Sequence, residues 1–157
     1  NADELEGTCQ EIDITFSTKD AANITVFNAD SDFLCSTLDL SILTGLTSLD
    51  VGQNNIDVIV NPTTTAVFTN YDVADNNLTS LDLSQNTSLT HLRADRNQLT
   101  ELDVSLNTSL TGLEVWDNQL TSLDVRNGNN TNFWFFPKLK KIIKQVTKNN
   151  EYKKKLF

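Results

Sequence analysis

The 157-residue sequence contains a single histidine, His91, with Arg93 and Arg96 just after it and Trp116 twenty positions further on. An imidazole can move protons when a nucleophile and an orienting carboxylate stand beside it. No Ser or Cys lies at a catalytic spacing from His91, and neither a glycine-rich phosphate loop nor a Gly-x-Ser-x-Gly elbow occurs. Carboxylates are abundant, but they recur at regular intervals, so no two of them stand out as an acid–base pair for glycoside chemistry. The chain therefore reads as non-enzymatic. Arginine and tryptophan are instead the residue types that dominate binding energy at protein surfaces. A tryptophan aimed at water needs a cover. Either a partner supplies it, or Arg93 or Arg96 stacks on the ring as a cation–π pair; the sequence supports both. His91, Arg93, Arg96 and Trp116, flanked by Asp72 and Glu114, form the candidate partner-binding patch. Replacing Trp116 and Arg93 with Ala is expected to abolish capture without lowering the melting temperature.

Further side chains recur at fixed steps. Asp82, Asp103 and Asp124 form one file, each inside a Leu-Asp-Leu or Leu-Asp-Val string. Carboxylates stacked about 4.8 Å apart repel one another. A calcium ion could relieve that, or each Asp could accept bonds from nearby Ser, Thr or backbone N–H groups and stay hydrated. The Gly-Gly-x-Gly-x-Asp loop of calcium-binding solenoids is missing, and neither a metal nor a cofactor is expected. Thr47, Thr69, Thr90 and Thr111 form a second file, and Thr79, Thr100 and Thr121 a third. Flat threonine ladders can order water and bind ice, although β-propensity and turn bonding also favour Thr at such places. Five Asn-x-Ser/Thr triplets, at Asn23, Asn77, Asn86, Asn107 and Asn129, are generated by the repetition and are not read as glycan sites.

The files exist because the chain repeats. LTSLDLSQNTSLTHLRADRNQ (residues 78–98) is followed at once by LTELDVSLNTSLTGLEVWDNQ (residues 99–119). One pattern of apolar slots and an Asn slot runs through Leu46-Leu49-Val51-Asn54-Ile56, Phe68-Tyr71-Val73-Asn76-Leu78, Leu89-Leu92-Ala94-Asn97-Leu99 and Leu110-Leu113-Val115-Asn118-Leu120. A degenerate first copy is Ile24-Phe27-Ala29-Asp32-Leu34. The steps between copies are 22, 22, 21 and 21 residues. Such a period means stacked coils. Leu49 and Val51 alternate with polar residues, as a short strand with one buried face does. The following Asn turns the chain and can bond backbone groups that would otherwise be buried unpaired, so Asn54, Asn76, Asn97 and Asn118 are expected to form a structural ladder. One coil orders about 21 residues at roughly 1–2 kcal/mol each of backbone entropy. Its six or so apolar side chains return about 1.5–3 kcal/mol each, so no coil is stable without neighbours.

The pattern resembles the leucine-rich repeat, LxxLxLxxNxL, over roughly residues 24–127. The strings LTSLDLSQN, LTELDVSLN and LTSLDVRN echo the motif in the second half of each coil, giving nested double motifs. That form is similar to the 21-residue repeats of secreted or surface proteins of Bacteroidetes-type bacteria. The resemblance implies a mostly β solenoid. A parallel sheet would line the concave side, with a short strand or extended stretch on the opposite wall. It also implies secretion or display on a bacterial cell surface, and a protein-binding or adhesion role through the concave face. A spacer within a larger adhesin and an ice-binding solenoid remain the alternatives.

Residues 1–23 read as an N-terminal cap with an alternating strand at Ile12, Ile14 and Phe16; residues 24–127 as the solenoid of about five coils; residues 128–157 as a C-terminal cap or basic amphipathic tail. In the last segment Leu139, Ile142, Ile143 and Val146 make a helical apolar stripe behind Pro137, as a capping helix would. Residues 1–137 carry four basic and twenty acidic side chains, residues 138–157 eight Lys and one Glu, for a net charge of −9. An acidic body repels nucleic acid and anionic membranes, so membrane contact is left to residues 137–157. A protein ligand, or alternatively a glycan, is the expected partner. Cys9 and Cys35 are the two cysteines and suit one disulfide stapling the N-terminal edge, with two unpaired small hydrophobes as the other reading. No metal-binding Cys spacing occurs. No run of eighteen apolar residues exists. The absence of Met and the Asn at position 1 fit a mature chain or an excised fragment.

Overall fold

The computed structural model describes residues 21–30, 34–62, 68–121 and 123. Among them lie seven strands: β1 (Val26–Asn28), β2 (Cys35–Asp39), β3 (Ser48–Asp50), β4 (Asn55–Val60), β5 (Asn70–Asp72), β6 (His91–Arg93) and β7 (Gly112–Glu114). Five of them form one parallel sheet in the order β1-β3-β5-β6-β7, and β2 pairs with β4 in parallel. Each strand of the larger sheet lies beside its equivalent in the next coil, so Leu49, Tyr71, Leu92 and Leu113 stand in one file. Every step winds the chain once around a shared interior, and the fold is a β-solenoid.

The strands are only three residues long because only the central one points inward. Leu49, Leu92 and Leu113 are buried while their neighbours on either side face outward, as alternation requires. Two residues on, Val51, Val73, Ala94 and Val115 are buried as well. The rest of the interior comes from the return path, including Leu40, Leu43, Leu46, Leu78, Leu83, Leu89, Leu99, Val104 and Leu110. One coil replaces leucine with aromatics: Phe68 and Tyr71 sit 5.1 Å apart at 39°, and the Tyr71 hydroxyl donates to Asn61 Oδ1 at 2.6 Å. That bond satisfies a polar atom inside the core, where burial pushes the phenol's pKa upward.

The two sides of the coil differ. On the opposite wall, β2 and β4 pair over five positions with a register shift between Ser36 and Thr37. Ser36 adopts φ 62° at that irregularity, the local distortion an added residue imposes. In the later coils residues 78–82 and 99–102 form no strand, and the chain bends at Thr79 and Thr100. The difference follows composition: β4 carries Ile56, Val58, Ile59 and Val60, whereas the later segments are Thr, Ser, Glu and Asp between leucines. Tight turns close three of the described coils. Leu43, Asn86 and Asn107 donate their backbone N–H to the carbonyls of Leu40, Leu83 and Val104, three residues earlier. Ahead of these turns Asp39, Asp82 and Asp103 each accept the N–H of Ser41, Ser84 and Ser105 at 2.8–2.9 Å. The Ser41 hydroxyl and N–H hold the Asp39 carboxyl below its ordinary value, and the Ser84 N–H and hydroxyl do the same for Asp82. For Asp82 and Asp103 the charge is thus met by a local turn; Asp124 lies outside the described residues.

The N-terminal strand expected at Ile12–Phe16, Cys9 with its pairing to Cys35, and the C-terminal segment with its expected capping helix also fall outside the described residues. Cys35 opens β2 and is half-buried. No described helix is long and apolar enough to cross a membrane.

Candidate functional site

The inner framework of the site is the asparagine file. Asn76 Nδ2 donates to the carbonyls of Val51, Val73 and Ala74 at 2.9–3.2 Å, and its Oδ1 accepts from Ile56 N–H at 2.9 Å. Asn54, Asn97 and Asn118 repeat the arrangement, accepting from Leu34, Leu78 and Leu99 N–H and donating back to Ala29, Val73 and Ala94. Every member thus ties its own turn to the coil before it. The residue ahead of each Asn adopts a left-handed backbone: Gln53 (φ 53°), Asp75 (φ 53°), Arg96 (φ 51°) and Asp117 (φ 51°). This conformation lets the N–H groups of Gln53, Asp75 and Arg96 reach the Ala74, Asp95 and Trp116 carbonyls of the next coil, each at 2.9 Å. It also turns the Gln53, Asp75, Arg96 and Asp117 side chains onto the outer rim.

The outward face of the sheet carries two files. One runs Val26, Ser48, Asn70, His91, Gly112 and the other Asn28, Asp50, Asp72, Arg93, Glu114. Between them lies an open trough of about 360 Å³ bordered by Asp50, Asn70, Asp72, His91, Arg93 and Glu114. The candidate residues His91, Arg93, Asp72 and Glu114 are brought together around it. The His91 ring lies over Gly112, where a Cβ would stand 2.6 Å from its Cδ2. Gly112 is therefore what lets the imidazole lie flat. His91 Nδ1 is 3.0 Å from the Thr90 hydroxyl.

Arg93 is enclosed by carboxylates. Its Nη1 donates to Asp72 Oδ2 at 3.1 Å and its Nε to Asp95 Oδ1 at 3.1 Å, with Glu114 Oε2 at 3.7 Å. Burial opposes the guanidinium charge, but Asp72, Asp95 and Glu114 outweigh it and push the Arg93 pKa upward. Arg96 donates to Asp75 Oδ2 at 2.7 Å, lies 3.5 Å from Asp95 Oδ2, and stacks its guanidinium 4.1 Å from the Trp116 ring centroid. The cation–π reading of Trp116 thus holds, with Arg96 rather than Arg93.

Asp95 links both arginines and was not among the candidate residues. Its side chain is fully buried (0% exposed), and burial pushes its carboxyl up against the pull of Arg93 and Arg96. Its slot holds Gly52 and Ala74 in the coils before and Trp116 in the coil after, so a carboxylate there flanked by two arginines was the signal available. The consequence corrects one expectation: Arg93 neutralises a buried carboxylate, so Arg93→Ala lowers stability as well as changing the surface.

The half-buried threonine file bonds along the stack. Thr47, Thr69, Thr90 and Thr111 hydroxyls each donate to the carbonyl of the equivalent threonine one coil earlier at 2.9–3.2 Å. Asn86 and Asn107 are buried at 4% and 1% exposure, which encloses two of the Asn-x-Ser triplets in the folded chain.

No protein-family model matches the chain, and no curated protein does. Among solved structures it is similar to the functional domain of InlJ from Listeria monocytogenes, which includes a cysteine ladder, at 34% identity and a TM-score of 0.63. The match covers 71% of this chain and 25% of that one, so the chain spans about a quarter of that structure's length. With two cysteines in its sequence this chain has no such ladder of its own; its recurring inward file is asparagine. The stacked parallel strands and this likeness together make the chain a leucine-rich-repeat-like solenoid, mostly β.

Proposed function

We propose that this chain is a non-enzymatic binding module of the adhesion type, which recognises a protein through the outward face of its five-stranded sheet. The observation that carries this reading is the Arg96–Trp116 stack, held by Asp75 beside the trough. A large aromatic already fixed in place loses little freedom on binding, and Trp and Arg are the residues that most often anchor interfaces. Trp116, Arg96, His91, Arg93, Asp72 and Glu114 are the proposed contacts. The likeness to an InlJ domain supports a binding role, since solenoids of this kind present extended surfaces rather than enclosed catalytic clefts. Secretion or display on a bacterial surface, affinity to the Bacteroidetes type of repeat, and an N-terminal staple between Cys9 and Cys35 belong to the same reading.

Capture from cell-envelope or host extracts tests it. The parent chain should recover a partner that Trp116→Ala, folded to the same melting temperature, does not. A spacer recovers nothing with either chain, and equal recovery by both removes the patch. Ice binding through the Thr47 file is disfavoured because those hydroxyls donate to the neighbouring coil, whereas Thr79, Thr100 and Thr121 are exposed; absence of thermal hysteresis would close that alternative.

A further inference from the structure

The stacking of threonines fixes the chemistry of the histidine beside them. Thr90 Oγ1 donates to the Thr69 carbonyl at 2.9 Å. Thr47, Thr69 and Thr111 make the same bond, although Ser48, Asn70 and Gly112 follow them where His91 follows Thr90. The coil-to-coil contact, not the imidazole, therefore dictates where the Thr90 hydrogen points. A hydroxyl has one hydrogen. Toward His91 Nδ1, 3.0 Å away, the Thr90 oxygen can offer only a lone pair. Two lone pairs at that distance repel, so Nδ1 carries the ring proton and donates it to Thr90. A neutral imidazole has a single N–H, and the bond made by one nitrogen decides the state of the other. Nε2 is left as a bare acceptor.

His91 is exposed on β6, its ring lies on Gly112, and Nε2 has no hydrogen-bond partner among the described residues. It borders the trough together with Arg93. A guanidinium has five N–H donors. The Arg93 ion pairs use Nε and Nη1, so Nη2 has both hydrogens left over among the described residues. His91 and Arg93 are two positions apart on one face of the strand, a separation of about 6.6 Å. They thus present an acceptor and a donor side by side, flanked by the negative charges of Asp72 and Glu114 in the neighbouring strands.

We propose that this pair takes an uncharged carboxamide, the side chain of an Asn or Gln on the protein partner, with its amide N–H on His91 Nε2 and its oxygen on Arg93 Nη2. The inference rests on the sheet-face reading above and gives the partner its chemistry. A carboxamide offers a donor and an acceptor together, an ammonium donors alone and a carboxylate acceptors alone. An ammonium would face the Arg93 charge. A carboxylate would face the His91 lone pair, Asp72 and Glu114. With a bond of about 2.9 Å at either end, one carboxamide spans the gap.

The single histidine makes the first test direct. A long-range proton–nitrogen correlation on the isotope-labelled full chain, at mildly alkaline pH where an imidazole is uncharged, should show the proton on Nδ1. Thr90→Val removes its acceptor and should move the proton toward Nε2. Thr90→Ser keeps the hydroxyl and should retain the parent pattern; circular dichroism confirms that both variants are folded. A parent ring protonated on Nε2, or a Thr90→Val ring unchanged from the parent, would overturn the proposal. Acetamide, acetate and methylammonium then probe the trough, read from the Arg93 Nε–H and Gly112 amide signals. Acetamide should bind about tenfold more tightly than either ion, as one mismatched polar contact implies, and Thr90→Val should narrow its lead over acetate. Equal or tighter methylammonium binding would mean that the trough reads charge alone. Equal acetate binding would mean that Arg93 acts without His91, and no response to acetamide that the pair is not a site. Each of these overturns the carboxamide. Capture on Trp116→Ala decides the broader reading separately, because it does not depend on the tautomer.

Discussion

Replacing Arg93 with Ala should destabilise the fold, through a residue that no surface view would single out. Asp95 has no exposed side-chain area, and Arg93 Nε is its nearest cation at 3.1 Å, with Arg96 at 3.5 Å. Breaking a buried ion pair costs about 3–5 kcal/mol, and a hydrogen bond to a charged group is worth about 1.5–3 kcal/mol. Arg93 is itself 42% exposed and Arg96 remains, which places the loss near the lower figure, at about 2 kcal/mol. For a chain of this length that lowers the melting temperature by about 4–8 °C. The sign of the pH dependence follows from Asp95. Its folded pKa lies above the ordinary value, so the native state holds that proton more tightly than the unfolded chain does. In the variant the penalty is therefore largest at neutral pH and shrinks as pH falls through the raised folded value. Arg93→Ala with Asp95→Ala should regain most of the loss, because Ala74 already fills the equivalent slot one coil earlier. Thermal unfolding at neutral and mildly acidic pH measures all of this. A single variant as stable as the parent, or a double variant no better than the single, would refute the reasoning.

Four other outcomes follow from the same geometry. Asn76→Ala leaves the buried Ile56 N–H without its acceptor and takes one donor each from the Val51, Val73 and Ala74 carbonyls, which keep Asn54, Asn97 and Gln53, and should cost about 2–3 kcal/mol by urea titration. Gly45→Ala drives a Cβ into the Ala22 carbonyl, so proteolysis near residues 21–24 should accelerate while the sheet persists. Gln53 sits at φ 53°, so Gln53→Val should lose about 1–2 kcal/mol and Gln53→Gly should be neutral or better. Asp39 and Asp82 have folded pKa values below the ordinary 3.8. Their contribution is full above the unfolded value and disappears as pH falls through the folded ones, so Asp82→Asn should flatten the acid limb of an unfolding curve below about pH 4.

The stacking of coils was readable because Leu49, Tyr71, Leu92 and Leu113 occupy the same slot of a repeated string, and a parallel solenoid is the arrangement that puts such slots side by side. The opposite wall was less readable. LTSLDL and LTELDV look as strand-like as the segments that do pair, yet the paired strand is the one with Ile56, Val58, Ile59 and Val60, and packing rather than pattern decides such cases. Within the candidate site, the outward positions of Asp72, Arg93 and Glu114 follow from alternation. Which carboxylate holds which arginine does not, because it depends on side-chain reach across coils. Asp95 was overlooked for a related reason. Two positions after the strand centre's neighbour, alternation no longer tells inside from outside, and the turn into the left-handed Arg96 carries Asp95 under the surface.

Solution NMR of the uniformly labelled chain would examine the in-register stacking on which every file depends. Short contacts between α-protons and amide protons should link Leu49 to the Tyr71 strand, Tyr71 to the Leu92 strand and Leu92 to the Leu113 strand, in the parallel pattern. Paired α-proton contacts of antiparallel strands, or runs of sequential amide–amide contacts through residues 48–50, 70–72, 91–93 and 112–114, would contradict the solenoid and dissolve the proposed binding face with it.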